Sequence, residues 1–309
     1  MSTLRRRSLA QSPSLSIKTL FVESWKTFVH DWKDTFSVSI WLVVPAVLLL
    51  AVTLVDRQIP NTIGFLPLIV FVIALCVQAW VSVRLIRDTL KRAGEPVGKA
   101  PTWQVDVLTY VWTKLLNGIA VIGALVPFIL GVLGFPLFIA LTHVSKGIAA
   151  LLFFGGTFIL AIPAIWLAIS LLFWPYMLVG GQGGTEQVFT EMRGRRWISF
   201  KKTVDVLIAS YKLVHGRFWY TFIRLLVPGF IFGMILIASI TLVDANIQFI
   251  AGPEKIAALF GTQGMSFVDV HHAAGNAYAY FLQAVGEAAF FPLFIVWQTK
   301  IFQSLREKK

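Results

Sequence analysis

The feature that most constrains this chain is the recurrence of apolar runs, each close to or above the ~20 residues an α-helix needs to cross a bilayer core. The runs fall at 38–55, 63–86, 115–142, 148–179, 220–243 and 277–302. The chain is 57% hydrophobic and only 14% charged, with a mean hydropathy of +0.76, far too apolar for a soluble protein of 309 residues. The pattern predicts an all-α, polytopic membrane helix bundle of about six transmembrane helices. A basic tail and interfacial helix over 1–36 precede a six-span membrane domain over 37–309.

Several runs carry helix breakers. Pro45 reads as a kink that neighbouring helices can tolerate. The run at 115–142 contains Gly118, Gly123, Pro127, Gly131, Gly134 and Pro136. It is read as one long or broken helix, because a hairpin after Gly131 would reverse the side of everything downstream. Pro163 and Pro175 predict a bent fourth span. Gly229 and Gly233 form a GxxxG, read as a sign of tight packing more than of a dimer.

The charges set sidedness. Of 27 lysines and arginines, 24 lie on alternate segments, and the other three segments hold only Arg57, Lys146 and Lys255. By the positive-inside rule this bias places both termini in the cytoplasm and requires an even number of spans. The net charge of +12 is thereby read as topological, with no nucleic-acid partner. Arg193, Arg195, Arg196, Lys201 and Lys202 are read as contacts to anionic headgroups of the inner leaflet. Arg6-Arg7-Ser8-Leu9 is no cleaved signal, since no apolar core follows it before Ser37.

Two stretches are amphipathic. Over 17–36, Ile17, Leu20, Phe21, Trp25, Phe28, Trp32 and Phe36 gather on one helical side, which predicts an interfacial helix anchored by Trp25 and Trp32. Over 203–215, Val204, Leu207, Ile208, Tyr211 and Val214 recur at helical spacing, while Val206 and Leu213 interrupt the polar side and predict that part of it packs on protein. Gly216 then allows the left-handed conformation that ends a helix. Arg217, Phe218, Trp219 and Tyr220 follow as interfacial anchors at the entry to the fifth span.

Chemistry-bearing residues are sparse. Cys76 is the only cysteine and lies in an apolar run, so it forms no intrachain disulfide. Asp269, His271 and His272 match no strong zinc spacing, and no metal or cofactor is expected. The glycine-rich stretch from Gly180 to Thr185 lacks the lysine and the preceding strand of a phosphate loop. No catalytic constellation is present, so an enzyme is not expected. Glu287 stands apart near the middle of the sixth run, where a charged side chain costs about 2.5–3.5 kcal/mol and usually faces the bundle interior. It is read as a proton or cation relay with Gln78 or Ser170 nearby, or as a protonated carboxyl bonded to a facing carbonyl or polar side chain. Gln78 itself is read first as an interhelical hydrogen-bonding residue.

The segment Ala209-Ser210-Tyr211-Lys212-Leu213-Val214-His215-Gly216-Arg217-Phe218-Trp219 carries a serine, a leucine-valine pair, a histidine, a glycine and aromatics before the fifth span. In this it resembles a bacterial family, the membrane domain found ahead of some glycerophosphoryl diester phosphodiesterases and also as stand-alone six-span proteins. The end, Phe302-Gln303-Ser304-Leu305-Arg306, is similar to that family's terminal pattern, with Phe302 and Ser304 where Tyr and an acidic residue are expected. The resemblance implies the bacterial cytoplasmic (inner) membrane and a link to lipid, and no activity, because the catalytic domain would follow the sixth span and the chain ends there. Two readings result. One is a non-enzymatic membrane protein engaging lipids, a protein partner or a second copy through its interfacial helices. The other is a small transporter or channel using Glu287 and the proline-broken helices.

Overall fold

The computed structural model describes residues 16–58, 65–95, 97, 103–142, 146–180, 200–252 and 273–307. Among them all regular structure is helical. The elements are α1 (Ile17–Ser39), a 3-10 turn (Ile40–Leu42), α2 (Val43–Gln58), α3 (Leu66–Arg92), α4 (Trp103–Thr142), α5 (Lys146–Leu171), α6 (Trp174–Val179), α7 (Phe200–Val214), α8 (Phe218–Ala251) and α9 (Ala273–Glu307). Among the described residues six helical stretches are long and apolar enough to cross a membrane: Ile17–Thr53, Leu68–Arg92, Val107–Gly134, Ile159–Val179, Phe218–Ile247 and Ala277–Arg306. The chain is an all-helical, multi-pass membrane protein.

The helices form two compact units, one comprising Met1–Val107 with Ile223–Lys309 and the other Leu108–Phe222. In the first, α9 is the common partner: α1, α2 and α3 all pack along it. Ser16 caps α1 by accepting from the Thr19 amide at 3.1 Å. The sequence predicts an interfacial helix ending at Phe36 and a separate span from Val38. Instead the helix passes through one 3-10 turn into α2, and both lie against α9. The continuity follows from a side of α1 that suits a helix partner: Leu20, Ser24, Thr35 and Ser39 are buried, and the Ser39 hydroxyl donates to the Ala288 carbonyl at 2.5 Å. Phe21, Phe232 and Trp297 fill the space beside it, with ring centroids 5.5–6.1 Å apart. The Trp297 indole donates to the Arg224 carbonyl at 3.1 Å, which satisfies the one polar atom of this aromatic cluster.

The expected tight packing at Gly229 and Gly233 is absent, since a Cβ at either would meet nothing within 4 Å among the described residues. Close approach is made by Gly286 of α9, where a Cβ would stand 2.6 Å from Leu236 Cδ1 and 3.1 Å from Ile240 Cγ1 of α8. A glycine pair permits approach; a partner with side chains of the right reach decides where it happens.

α4, most of which belongs to the second unit, is a single helix of 40 residues, as read from the 115–142 run, and it starts well before that run. The predicted bent span at 148–179 is two helices. Pro163 stays inside α5, whereas the chain turns at Leu172-Phe173 before Pro175, which occupies the first turn of α6. Proline suits that position because the amide it lacks has no partner there in any helix. α7 packs on α5 and α6. Its buried side is Thr203, Val206, Ser210, Leu213 and Val214, while Ile208 is 43% exposed. The buried stripe is therefore rotated from the purely apolar one toward Val206 and Leu213, the two residues that interrupt the polar side. Of its two hydroxyls, that of Ser210 donates to the Ser170 carbonyl at 3.0 Å.

The corner from α7 to α8 forms as its sequence predicts. Gly216 has φ +81°, the His215 amide donates to Tyr211 O at 2.8 Å, and the Arg217 amide donates to Val214 O at 2.9 Å.

Candidate functional site

α2, the 3-10 turn, α3 and α9 enclose a cleft of about 430 Å³. Its walls are apolar on the α2 side, with Leu42, Pro45 and Leu49, and on the α3 side, with Phe71 and Leu75. Polar groups enter from two helices: Gln78 from α3, and Tyr280, Gln283 and Glu287 from α9. The three on α9 are spaced at helical intervals that place them on one side. The Gln283 amide donates to Glu287 Oε1 at 2.7 Å. Glu287 Oε2 has no hydrogen-bond partner among the described residues. No residue lining the cleft is cationic. The structure thus brings Glu287 and Gln78 into one cavity, as the relay reading requires. It adds Tyr280 and Gln283, which sequence reasoning missed although their spacing from Glu287 was visible. Ser170 is not among the lining residues; it is buried in the other unit, where its carbonyl serves Ser210.

α1 presents a second candidate surface. Opposite its buried side, Trp25, Val29 and Trp32 are 43%, 53% and 44% exposed. Trp25 lies tilted against Phe28 and Trp32 against Phe36, with centroids at 5.8 and 4.9 Å. From the 3-10 turn onward the same side continues with the exposed Ile40, Val44 and Val47 of the first apolar run. The three acidic residues of α1 are each paired with a cation from another helix. Glu23 pairs with Lys300 at 3.2 Å, and Arg92 bridges Asp31 at 2.7 Å and Asp34 at 3.0 Å. Lys18, Lys26 and Lys33 are exposed along the apolar stripe and have no ion pair among the described residues. The helix is therefore sorted by charge, with its acids neutralised by α3 and α9 and its cations left outward.

Of the other predicted anchors, Trp219 is exposed, whereas Arg217, Phe218 and Tyr220 are half-buried. Phe218, Trp219 and Phe222 form a cluster with centroids 5.4–5.8 Å apart. Arg193, Arg195 and Arg196, the glycine-rich stretch after Gly180, and Asp269, His271 and His272 lie outside the described residues, as do the side chains of Lys201 and Lys202. Cys76 is exposed on α3.

Comparisons with protein-family models, with curated proteins and with solved structures found no match to this chain.

Proposed function

We propose that this is a non-enzymatic membrane protein that works by holding lipid along α1, in the anionic inner leaflet of a bacterial cytoplasmic membrane. One observation carries the reading: the outward stripe of α1 is continuous with the exposed side of α2 and is flanked by three lysines without ion pairs. A helix of this kind buries tryptophan and valine among acyl chains while the lysine stems carry their charges to phosphate. Each lysine near an anionic surface contributes about 1 kcal/mol of attraction. The charge bias of the segments supports a cytoplasmic location for both termini, and so for this surface. On this reading the chain is similar to the stand-alone form of the glycerophosphoryl diester phosphodiesterase membrane domain.

The test is lipid retention. Protein reconstituted in a mixture of zwitterionic and anionic lipid is diluted into detergent, and the lipids that stay bound are identified by mass spectrometry. Anionic lipid is expected to be enriched on the native chain and to fall toward the bulk ratio in the Lys18→Gln, Lys26→Gln, Lys33→Gln triple variant. Equal enrichment in both would contradict the proposal.

The cleft favours a second reading, passage of a proton or cation past Glu287. The supporting observation is that Gln78 and Glu287, from different helices, share one cavity. An ion flux into vesicles that is lost in Glu287→Gln supports this reading, and flux indistinguishable from protein-free vesicles removes it.

A further inference from the structure

We infer that the cleft between α2, α3 and α9 is a binding site for an amphiphilic organic cation, an ammonium-like group on an apolar body. The inference shares its site with the transport reading but requires only binding, not passage. Its volume of about 430 Å³ is that of a small-molecule site. The chemistry of the lining selects among occupants. Walls such as Leu42, Leu49, Phe71 and Leu75 offer hydrophobic contact and no hydrogen bonds, so a sugar-like or other highly polar solute would leave most of its groups unpaired. An anion would meet the carboxylate of Glu287 with no cationic side chain to offset it. A small divalent ion would find a single carboxylate where hard cations take six or more oxygens, in a cavity much larger than the ion.

An amphiphilic cation satisfies each feature at once. Its charge sits against Glu287, whose Oε1 is held by Gln283 at 2.7 Å and whose Oε2 has no described partner. Gln283 fixes the carboxylate in place, so little ordering is left for the binding step. Tyr280, one turn from Gln283 on the same side of α9, supplies an aromatic face on which a cation rests favourably. The apolar body fills the space between α2 and α3. The partition of roles follows the usual composition of such sites, apolar walls with a few polar groups that fix orientation.

The experiment uses the full chain in nanodiscs of zwitterionic lipid, titrated with radiolabelled tetraphenylphosphonium against protein-free nanodiscs. One saturable site per chain is expected. Glu287→Gln should weaken it at least roughly tenfold, the loss expected when the one charged partner of the bound cation is removed. Leu75→Trp, which narrows the cleft and keeps the carboxylate, should weaken it as well. Tetraphenylborate, of the same shape and opposite charge, should not compete. Both variants are checked for helical content and a single elution peak, and if Glu287→Gln does not fold, Leu75→Trp decides. Unchanged affinity in the folded variants overturns the inference. So does a lack of saturable binding, whether the cleft stays empty or a second copy covers it, two cases that the mass of the embedded protein tells apart. Saturable, Glu287-dependent binding without ion flux contradicts the transport reading and leaves this one standing.

Discussion

Gly286 and Ser39 show how single small residues set the spacing of helices around α9. Gly286 admits Leu236 and Ile240, and Ser39 reaches the Ala288 carbonyl from α1, so one turn of α9 is approached by two different helices. Gly286→Ala is expected to be less stable than Gly233→Ala by about 1 kcal/mol or more, because overpacking costs about 1–3 kcal/mol, reduced where the flexible end of Leu236 gives way, and offsets the roughly 1 kcal/mol that alanine gains over glycine in a helix. Gly233→Ala, which meets open space, should change stability by no more than about 1 kcal/mol, and in the stabilising direction. Thermal unfolding of the purified variants checks both, and equal effects would show that the contact at Gly286 is not tight. The sequence made Gly229 and Gly233 conspicuous because a four-residue spacing repeats within one helix. Gly286 has no such signature, since the side chains that need its space come from another helix some 50 positions away. Ser170 teaches the same lesson: a polar residue in an apolar run was visible, but its service to Ser210 is a tertiary fact.

At the scale of elements, α1 and α7 were both legible as amphipathic helices, and both proved to have protein on a side where the pattern left the partner open. For α7 the buried stripe includes Thr203 and Ser210, which hydrophobicity alone counts as solvent-facing. A hydroxyl that donates to a backbone carbonyl loses little on burial, so packing tolerates it there. For α1 the apolar side read from the sequence divides in two: Leu20 turns inward with Ser24, while Trp25 and Trp32 turn outward. The bridge from Arg92 to Asp31 and Asp34, with Lys300 and Glu23 farther along, adds to the burial of Leu20 and its neighbours in holding that rotation. Arg92→Met should therefore loosen α1 without unfolding the bundle. Hydrogen exchange is expected to quicken across Ile17–Ser39 and stay unchanged in α9. Unaltered protection in α1 would mean that burial of Leu20 and its neighbours suffices.

Across the whole molecule, the all-helical class and six helices long and apolar enough to span could be read from apolar run length, because backbone satisfaction in hydrocarbon leaves a chain few alternatives. What run length could not show is where helices continue or break. α1 joins α2 because Ser39 and its neighbours give both the same partner, and α5 yields to α6 at Leu172-Phe173 because Pro175 favours a helix start. The cleft was half legible: Glu287 announces itself by its charge, whereas its enclosure depends on α2 and α3 meeting α9. The central claim is that α1 carries the lipid-facing surface of the protein beyond the first span. It is tested most directly by a nitroxide at Val29→Cys in a Cys76→Ala background, in reconstituted vesicles, by electron paramagnetic resonance with oxygen and a water-soluble nickel chelate as collision partners. Strong relaxation by oxygen with weak relaxation by the chelate is the expected result; a site open to the chelate, or closed to both, would contradict the account.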